Sequence, residues 1–229
     1  MKTADILKKM AEAPLFQGIS EEGLQSIAAR ARYGTFKAGE MIVGETDPVR
    51  AFYVVIAGQV KLYKSSPDGK EQTLHLLRSG EPFGLCTAFA TESFPVSVSA
   101  LEESAVIIIP GAEVESIARR EPTLLMNIIQ VLSRRLKASM SLIESLSLQE
   151  IPQRFAAFLV HDMHRTGKGA ENRVELPTTH RELAKILGVT PEALSRALKK
   201  MAGDGILAVD GRMITILNRE ILEEIASGD

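Results

Sequence analysis

Thr178–Lys200 reads TTHRELAKILGVTPEALSRALKK, and two short helices with a very tight connection account for the whole stretch. Thr179 followed by Glu182 predicts a capping box at the start of the first helix. Gly188 stands where that helix must stop, because a left-handed residue at a helix C-terminus costs glycine little. Thr190 is placed to cap the second helix, and Pro191 takes its first position, where a missing N–H does no harm. Leu183, Ala184, Leu187, Val189, Leu194 and Ala197 form the apolar inner faces, with the small Ala184 at the crossing. This is the pattern of a helix-turn-helix, whose second helix is the one free to enter a DNA major groove.

On that second helix Glu192, Ser195 and Arg196 fall at i, i+3 and i+4 and share one face near the N-terminal end. Arginine forks onto guanine O6 and N7, glutamate accepts from cytosine N4, and serine serves either base, so these three are the expected base contacts. Thr179, His180, Arg181 and Thr190 at the two helix starts are expected on phosphates, together with Lys199 and Lys200 one turn further along. The following ILAVDGRMITIL reads as a hairpin turning at Asp210–Gly211, the wing of a winged module, with Arg212 near its tip as a further phosphate contact. A Glu/Arg pair behind Thr-Pro-Glu is often just a solvated helix face; the complete two-helix pattern with a wing outweighs that reading.

Upstream, RFAAFLVHDMH looks helical, TGKGAEN is a loop and VEL is a short strand. His161 and His164 on that helix could bind a metal, but exposed helix positions explain them better. Pro152 disfavours helix at Ile151 and sets a boundary near residues 149–152. Before it, Pro122–Ser147 carries a seam of Leu125, Ile129, Leu132, Leu136, Ser139, Ile143 and Leu146 at alternating spacings of four and three. Ile and Leu in those heptad positions suit a two-stranded parallel coiled coil. Arg134, Arg135 and Lys137 lie between the apolar positions, which favours a dimerisation helix over one packed on its own domain.

From Gly34 to Pro110 the period changes to short strands: EMIVG, AFYVVIAG, QVKLYKS, QTLHLL and SAVIIIP. Turn residues punctuate them at Thr46-Asp47-Pro48, Ala57-Gly58, Pro67-Asp68-Gly69 and Ser79-Gly80, the signature of a sandwich or barrel. The chain therefore divides into a strand-rich domain over 1–121, a dimerisation helix over 122–149 and a DNA-binding module over 150–229.

The 229 residues, 45% hydrophobic and 24% charged, have the balance of a globular protein of two domains. Apolar runs are far too short to cross a bilayer, so no membrane partner is expected. MKTADILKKMAEAP is charged and has no leader pattern, which places the protein in the cytoplasm. A single cysteine, Cys86, excludes a disulfide framework and a cysteine-only metal site. Net charge is −2, so nucleic acid must be met by a local patch.

PLFQGISEEGLQSIA, AGEMIVGETDPVRAFYVVIAGQVKLY, the heptad helix and the helix-turn-helix together resemble the CRP/FNR superfamily of transcription regulators, from about Pro14 to Ile225. The resemblance implies an α+β chain: a double-stranded β-roll like that of cyclic-nucleotide-binding domains, a long dimerisation helix and a C-terminal winged helix-turn-helix. Glu192, Ser195 and Arg196 match the E-x-x-S-R signature of the FNR-type branch, which implies a homodimer reading TTGA-type inverted repeats in double-stranded DNA. An activator of this kind would also contact RNA polymerase.

The resemblance places an effector pocket at Gly84, Leu85, Cys86, Phe94 and Val96, closed by Ser139 and Met140 of the dimer helix. Cyclic-nucleotide members keep Gly-Glu for the ribose and Arg-Ser for the phosphate; here Leu85 replaces the glutamate and Phe94-Pro95 the Arg-Ser pair. No cAMP is expected, and one cysteine cannot hold an iron–sulfur cluster. The sensor then resembles the nitric-oxide-responsive DNR and HcpR types, for which haem is the implied cofactor, with His75, Cys86 and Met140 as candidate ligands. Two rival functions are weaker: a cyclic-nucleotide-type module without DNA activity lacks the phosphate cassette, and a cupin-like enzyme lacks a cluster of histidines on its strands.

Overall fold

A computed structural model describes residues 3–89, 93–165 and 172–228. Two compact units divide the chain, one ending at Ala138 and the other beginning at Ser139.

The first unit opens with helix α1 (Thr3–Glu12), a single 3-10 turn (Pro14–Phe16) and α2 (Glu21–Arg30). Strands β1 (Arg32–Phe36), β2 (Met41–Val43), β3 (Ala51–Ala57), β4 (Gln59–Ser65), β5 (Glu71–Arg78) and β6 (Pro82–Phe83) follow. A short α3 (Leu85–Phe89) precedes β7 (Ser97–Ala100), β8 (Ser104–Pro110) and α4 (Gly111–Ala118). The long α5 (Pro122–Leu148) starts in this unit and ends in the next. Two four-stranded antiparallel sheets, β1-β8-β3-β6 and β2-β7-β4-β5, make the roll.

The unbroken apolar run AFYVVIA has a physical reason, since β3 is buried on both faces. Phe52 and Val54 look outward into a core shared with Ile27, Leu124 and Ile128 of the helices. Tyr53 and Val55 look inward onto Val60, Leu62 and Val98 of the second sheet. The turn between β3 and β4 demands glycine: a Cβ at Gly58, whose φ is +75°, would lie 2.4 Å from the Glu103 carbonyl oxygen. The predicted Asp68–Gly69 turn lies in the β4–β5 hairpin loop, with Gly69 at φ +82°. In that hairpin Leu62 pairs with His75 but Tyr63 with Thr73, so Leu74 is an inserted residue. The bulge puts His75 on the inward face beside Leu62 and turns Thr73 to the other side.

The second unit contains the end of α5, then α6 (Ile151–Arg165), β9 (Arg173–Glu175), α7 (His180–Leu187), α8 (Pro191–Gly203), β10 (Leu207–Asp210), β11 (Met213–Ile216) and α9 (Arg219–Ser227). Its core gathers Phe155, Leu159, Leu183, Leu194, Ile214 and Leu222, and its sheet runs β10-β11-β9. Two expectations shift here. Ile151 is helical after all, because Pro152 sits in the first turn of α6, where no N–H is needed. The wing turns at Gly211–Arg212, one residue later than expected, because Asp210 still pairs with Met213 in the ladder. Of the loop TGKGAEN, residues 166–171 lie outside the described residues. His161 and His164 are exposed, and among the described residues no group of three or more His, Cys, Asp or Glu side chains could hold a metal ion. No described helix is long and apolar enough to cross a membrane.

Candidate nucleic-acid interface and effector pocket

The cap chemistry read from the sequence sets the angle of the two helices. Thr179 Oγ1 accepts from the Glu182 N–H at 3.3 Å, and Gly188 ends α7 at φ 67°, ψ 34°. Thr190 Oγ1 accepts from the Ala193 N–H at 3.2 Å, with Pro191 in the first turn of α8. Leu194, Ala197, Leu198 and Met201 then face the core, and the opposite face of α8 is left to solvent.

That free face carries Glu192, Ser195 and Arg196, all exposed, with Lys199 and Lys200 beyond them. The Glu192 carboxyl is held below its ordinary range by its own backbone N–H, by the Thr190 hydroxyl and by the nearby Arg196 charge. An ionised acceptor and a guanidinium thus stand side by side at the end of a helix whose free N–H groups favour anions. Arg181 is exposed at the start of α7.

Two expected phosphate contacts differ from the rest. His180 is half-buried, and its Nε2 is enclosed without a hydrogen-bond partner, so that nitrogen does not face solvent. Arg212 is exposed at the wing but its guanidinium donates to the Glu175 carboxylate on β9.

The apolar seam expected to join two copies lies open on α5. Leu125, Ile129, Leu132, Leu136 and Ile143 are all exposed, Leu136 and Ile143 at 65% each, while Ser139 and Leu146 are half-buried. The other face of the helix, Leu124, Ile128 and Val131, is packed into the first unit. The same 4-3 spacing continues to Arg135, which the sequence places with Arg134 and Lys137 between the apolar seam positions. Arg135 is half-buried; burial lowers its guanidinium pKa, and Nη2 donates to the Pro82 carbonyl. The Leu124, Ile128, Val131, Arg135 series was the signal that could have found it.

Gly84, Phe94 and Val96 of the expected effector residues meet at the inner core of the roll, where a Cβ on Gly84 would lie 3.3 Å from the Phe94 ring, while Ser139 and Met140 belong to the second unit. Leu85 starts α3 and is buried in the outer, helix-side core. Phe94, 2% exposed, is in the inner core of the roll. Its ring meets Tyr53 edge to face at 6.0 Å, and Tyr53 stacks flat on Phe83 at 4.6 Å. Backbone bonds fix this plug: Thr46 N–H to the Phe94 carbonyl at 2.9 Å, and Phe94 N–H to the Asp47 carbonyl at 3.1 Å. Gly84 takes φ +78°, where a Cβ would come within 2.6 Å of the Ala51 carbonyl oxygen. Val96 packs half-buried against the same inner core.

The candidate haem ligands His75 and Cys86 have unlike surroundings. His75 faces inward, half-buried, and burial followed by the Arg135 charge holds its pKa below the ordinary value. Cys86 is exposed. Met140 is 64% exposed on α5 and belongs to the second unit. The inner core of the roll is filled by the packed Tyr53, Phe83 and Phe94 rings.

Comparisons with known proteins agree with this geometry. Residues 34–121 match the model of the cyclic nucleotide-binding domain, and residues 153–225 match that of the Crp-like helix-turn-helix domain. The chain is similar to the "Cyclic AMP receptor protein" of Thermus thermophilus, with 28% identity over 219 residues, 96% of this chain and 99% of that one. It is 32% identical over 193 residues to the "Fumarate and nitrate reduction regulatory protein" of Vibrio cholerae, spanning 83% of this chain and 74% of the relative. Among solved structures, FixK2 from Bradyrhizobium japonicum superposes with a TM-score of 0.74 at 26% identity, covering 85% and 96% of the two chains.

Proposed function

The chain belongs to the CRP/FNR family of DNA-binding transcription regulators, which are not enzymes, and from that premise we propose that it is a cytoplasmic homodimer reading TTGA-type inverted repeats. One observation carries this reading: the exposed Glu192–Ser195–Arg196 edge on α8, held outward by the Thr190 cap and the buried Leu194 and Ala197. The edge matches the FNR-type signature, and its residue types suit a G·C pair flanked by contacts open to either base. The second copy is supported by the exposed Leu125–Ile143 seam, because large apolar stripes on a helix that already buries its other face mark an interaction surface. RNA polymerase is the further partner wherever the protein activates.

The roll is the effector domain, and the effector is a small molecule other than cAMP. Leu85 and Phe94 support this: neither offers the hydroxyl acceptor or the cation that a ribose and a cyclic phosphate need, and Phe94 fills the roll interior. A match to a cyclic-nucleotide-binding model describes the fold of the roll, whereas ligand choice follows the site residues. Haem with nitric oxide, implied by the DNR and HcpR resemblance, is supported less, because His75 faces inward whereas Cys86 is exposed.

The experiment is a titration at one fixed salt concentration of the full-length protein onto an inverted TTGA repeat and onto a scrambled duplex. Specific binding is expected to be ~10³-fold or more tighter than binding to the scramble. Equal affinity for both duplexes overturns the half-site reading, and a monomer by sedimentation at the same concentration overturns the dimer.

A further inference from the structure

α5 ends in open carbonyls, as every helix does, and so does α7. One side chain meets both. Arg154, in the first turn of α6, donates from Nη2 to the Leu146 carbonyl at 3.0 Å and from Nε to the Gln149 carbonyl at 2.9 Å. Its Nη1 donates to the Leu187 carbonyl at 3.0 Å. Leu146 lies in the last turn of α5, Gln149 follows it, and Leu187 is the last residue of α7 before the Gly188 turn. A cation at two helix C-termini also sits at the negative end of both dipoles.

The same side chain stands beside the recognition helix. Arg154, Gln149 and Pro152 line a 440 Å³ pocket together with Ala193, Arg196 and Lys200 of α8. The turn that launches α8, Gly188 to Thr190, follows directly on the carbonyl that Arg154 holds.

We infer that Arg154 is a positioning residue for DNA reading, pinning the last turn of α5 to the turn of the helix-turn-helix so that the α8 edge keeps a fixed angle to that last turn. A planar guanidinium with fixed donor directions can serve three carbonyls at once; a lysine keeps the charge but not the fork. Outside the three carbonyls, Arg154 needs no partner to do this. The role rests on α8 being the reading helix, but not on which half-site it reads.

The test uses the full-length protein and whichever duplex the wild type prefers from a randomised pool, so that it stands even where the TTGA reading fails. Arg154→Gln is expected to weaken binding to that duplex by ~10-fold or more while binding to scrambled DNA changes less than about twofold, since phosphate contacts do not depend on helix angle. Arg154→Lys should fall in between. Amide exchange supplies a readout that mere loss of stability does not move. In Arg154→Lys the amides of the last turns of α5 and α7 should exchange at separate rates, with the core amides of Phe155 and Leu194 still protected. If Arg154→Gln does not fold, Arg154→Lys decides alone. Wild-type affinity in the folded variants overturns the inference, as does an equal loss on scrambled DNA, which would make Arg154 a phosphate contact.

Discussion

The starts of α3 and α8 invite comparison. Each short helix follows a turn with a glycine in the left-handed region, Gly84 before α3 and Gly188 just ahead of α8. The resemblance to cyclic-nucleotide members leads to the expectation of polar groups facing a ligand at both places. Here α8 keeps them: Glu192, Ser195 and Arg196 are all in solvent while the cap and the inner face do the structural work. At α3 the first residue, Leu85, is buried among the helices, and Phe94 beyond it closes the roll. An exposed polar edge contributes little to stability and is retained for what it meets, whereas a buried ring stabilises the fold and meets nothing from outside. One turn presents polar side chains to solvent and the other packs.

If that contrast is right, substitutions at the two places should separate stability from binding. The largest effect is expected at Phe94. Replacing it by alanine leaves a cavity beside Tyr53 and Phe83 and should cost about 3–5 kcal/mol in chemical denaturation of the roll. A small cost, with cAMP binding gained, would mean that the ring is a movable lid and would break the comparison.

Arg196→Ala should behave in the opposite way. Stability should stay within about 0.5 kcal/mol, because the side chain is exposed. Operator affinity should fall by about 1–3 kcal/mol, with discrimination relaxed at one base position. An equal loss on scrambled DNA would move Arg196 from the bases to the phosphates. Thr190→Ala sharpens the boundary between the two kinds of role. Losing the cap on the Ala193 N–H should cost about 1 kcal/mol of thermal stability in the second unit, and operator affinity should weaken only as far as the helix start frays.

What the sequence disclosed follows the range of the forces involved. Thr179, Gly188, Thr190 and Pro191 were legible because a cap is settled within four residues of chain. The seam on α5 was legible for the same reason, since a helix repeats its faces locally. β1, β6 and β7 were not read as strands, because RYGTF, PF and SVSA become strands only by pairing with β8, β3 and β4 far away in sequence. The inward turn of His75 depends on a bulge that no local pattern announces. Arg154 was invisible for a different reason: its three acceptors are main-chain carbonyls, which every sequence supplies and no residue type marks. Arg135 was within reach, at the spacing of Leu124, Ile128 and Val131, but it was read only as one of the charges between the apolar seam positions.

The smallest expected effect tests whether the roll interior is as closed as Phe94 implies. His75 faces that interior, and burial, with the Arg135 charge behind it, lowers its pKa from the ordinary 6.5. The unfolded chain therefore binds a proton at higher pH than the folded chain does. Above the unfolded value both states are neutral at this position and it has no pH-dependent influence. As the pH falls below about 6.5 the unfolded state takes up the proton first, so folding stability declines with acidification until the folded pKa is passed. Unfolding midpoints of the wild type and of His75→Gln, measured from pH 8 down to the region below 6.5, should diverge only on the acid side, with the wild type falling faster. Parallel curves would mean that His75 is hydrated in the folded protein. Water would then reach the roll beside Tyr53 and Phe94, and the contrast between a plugged α3 turn and an open α8 edge would be one of degree.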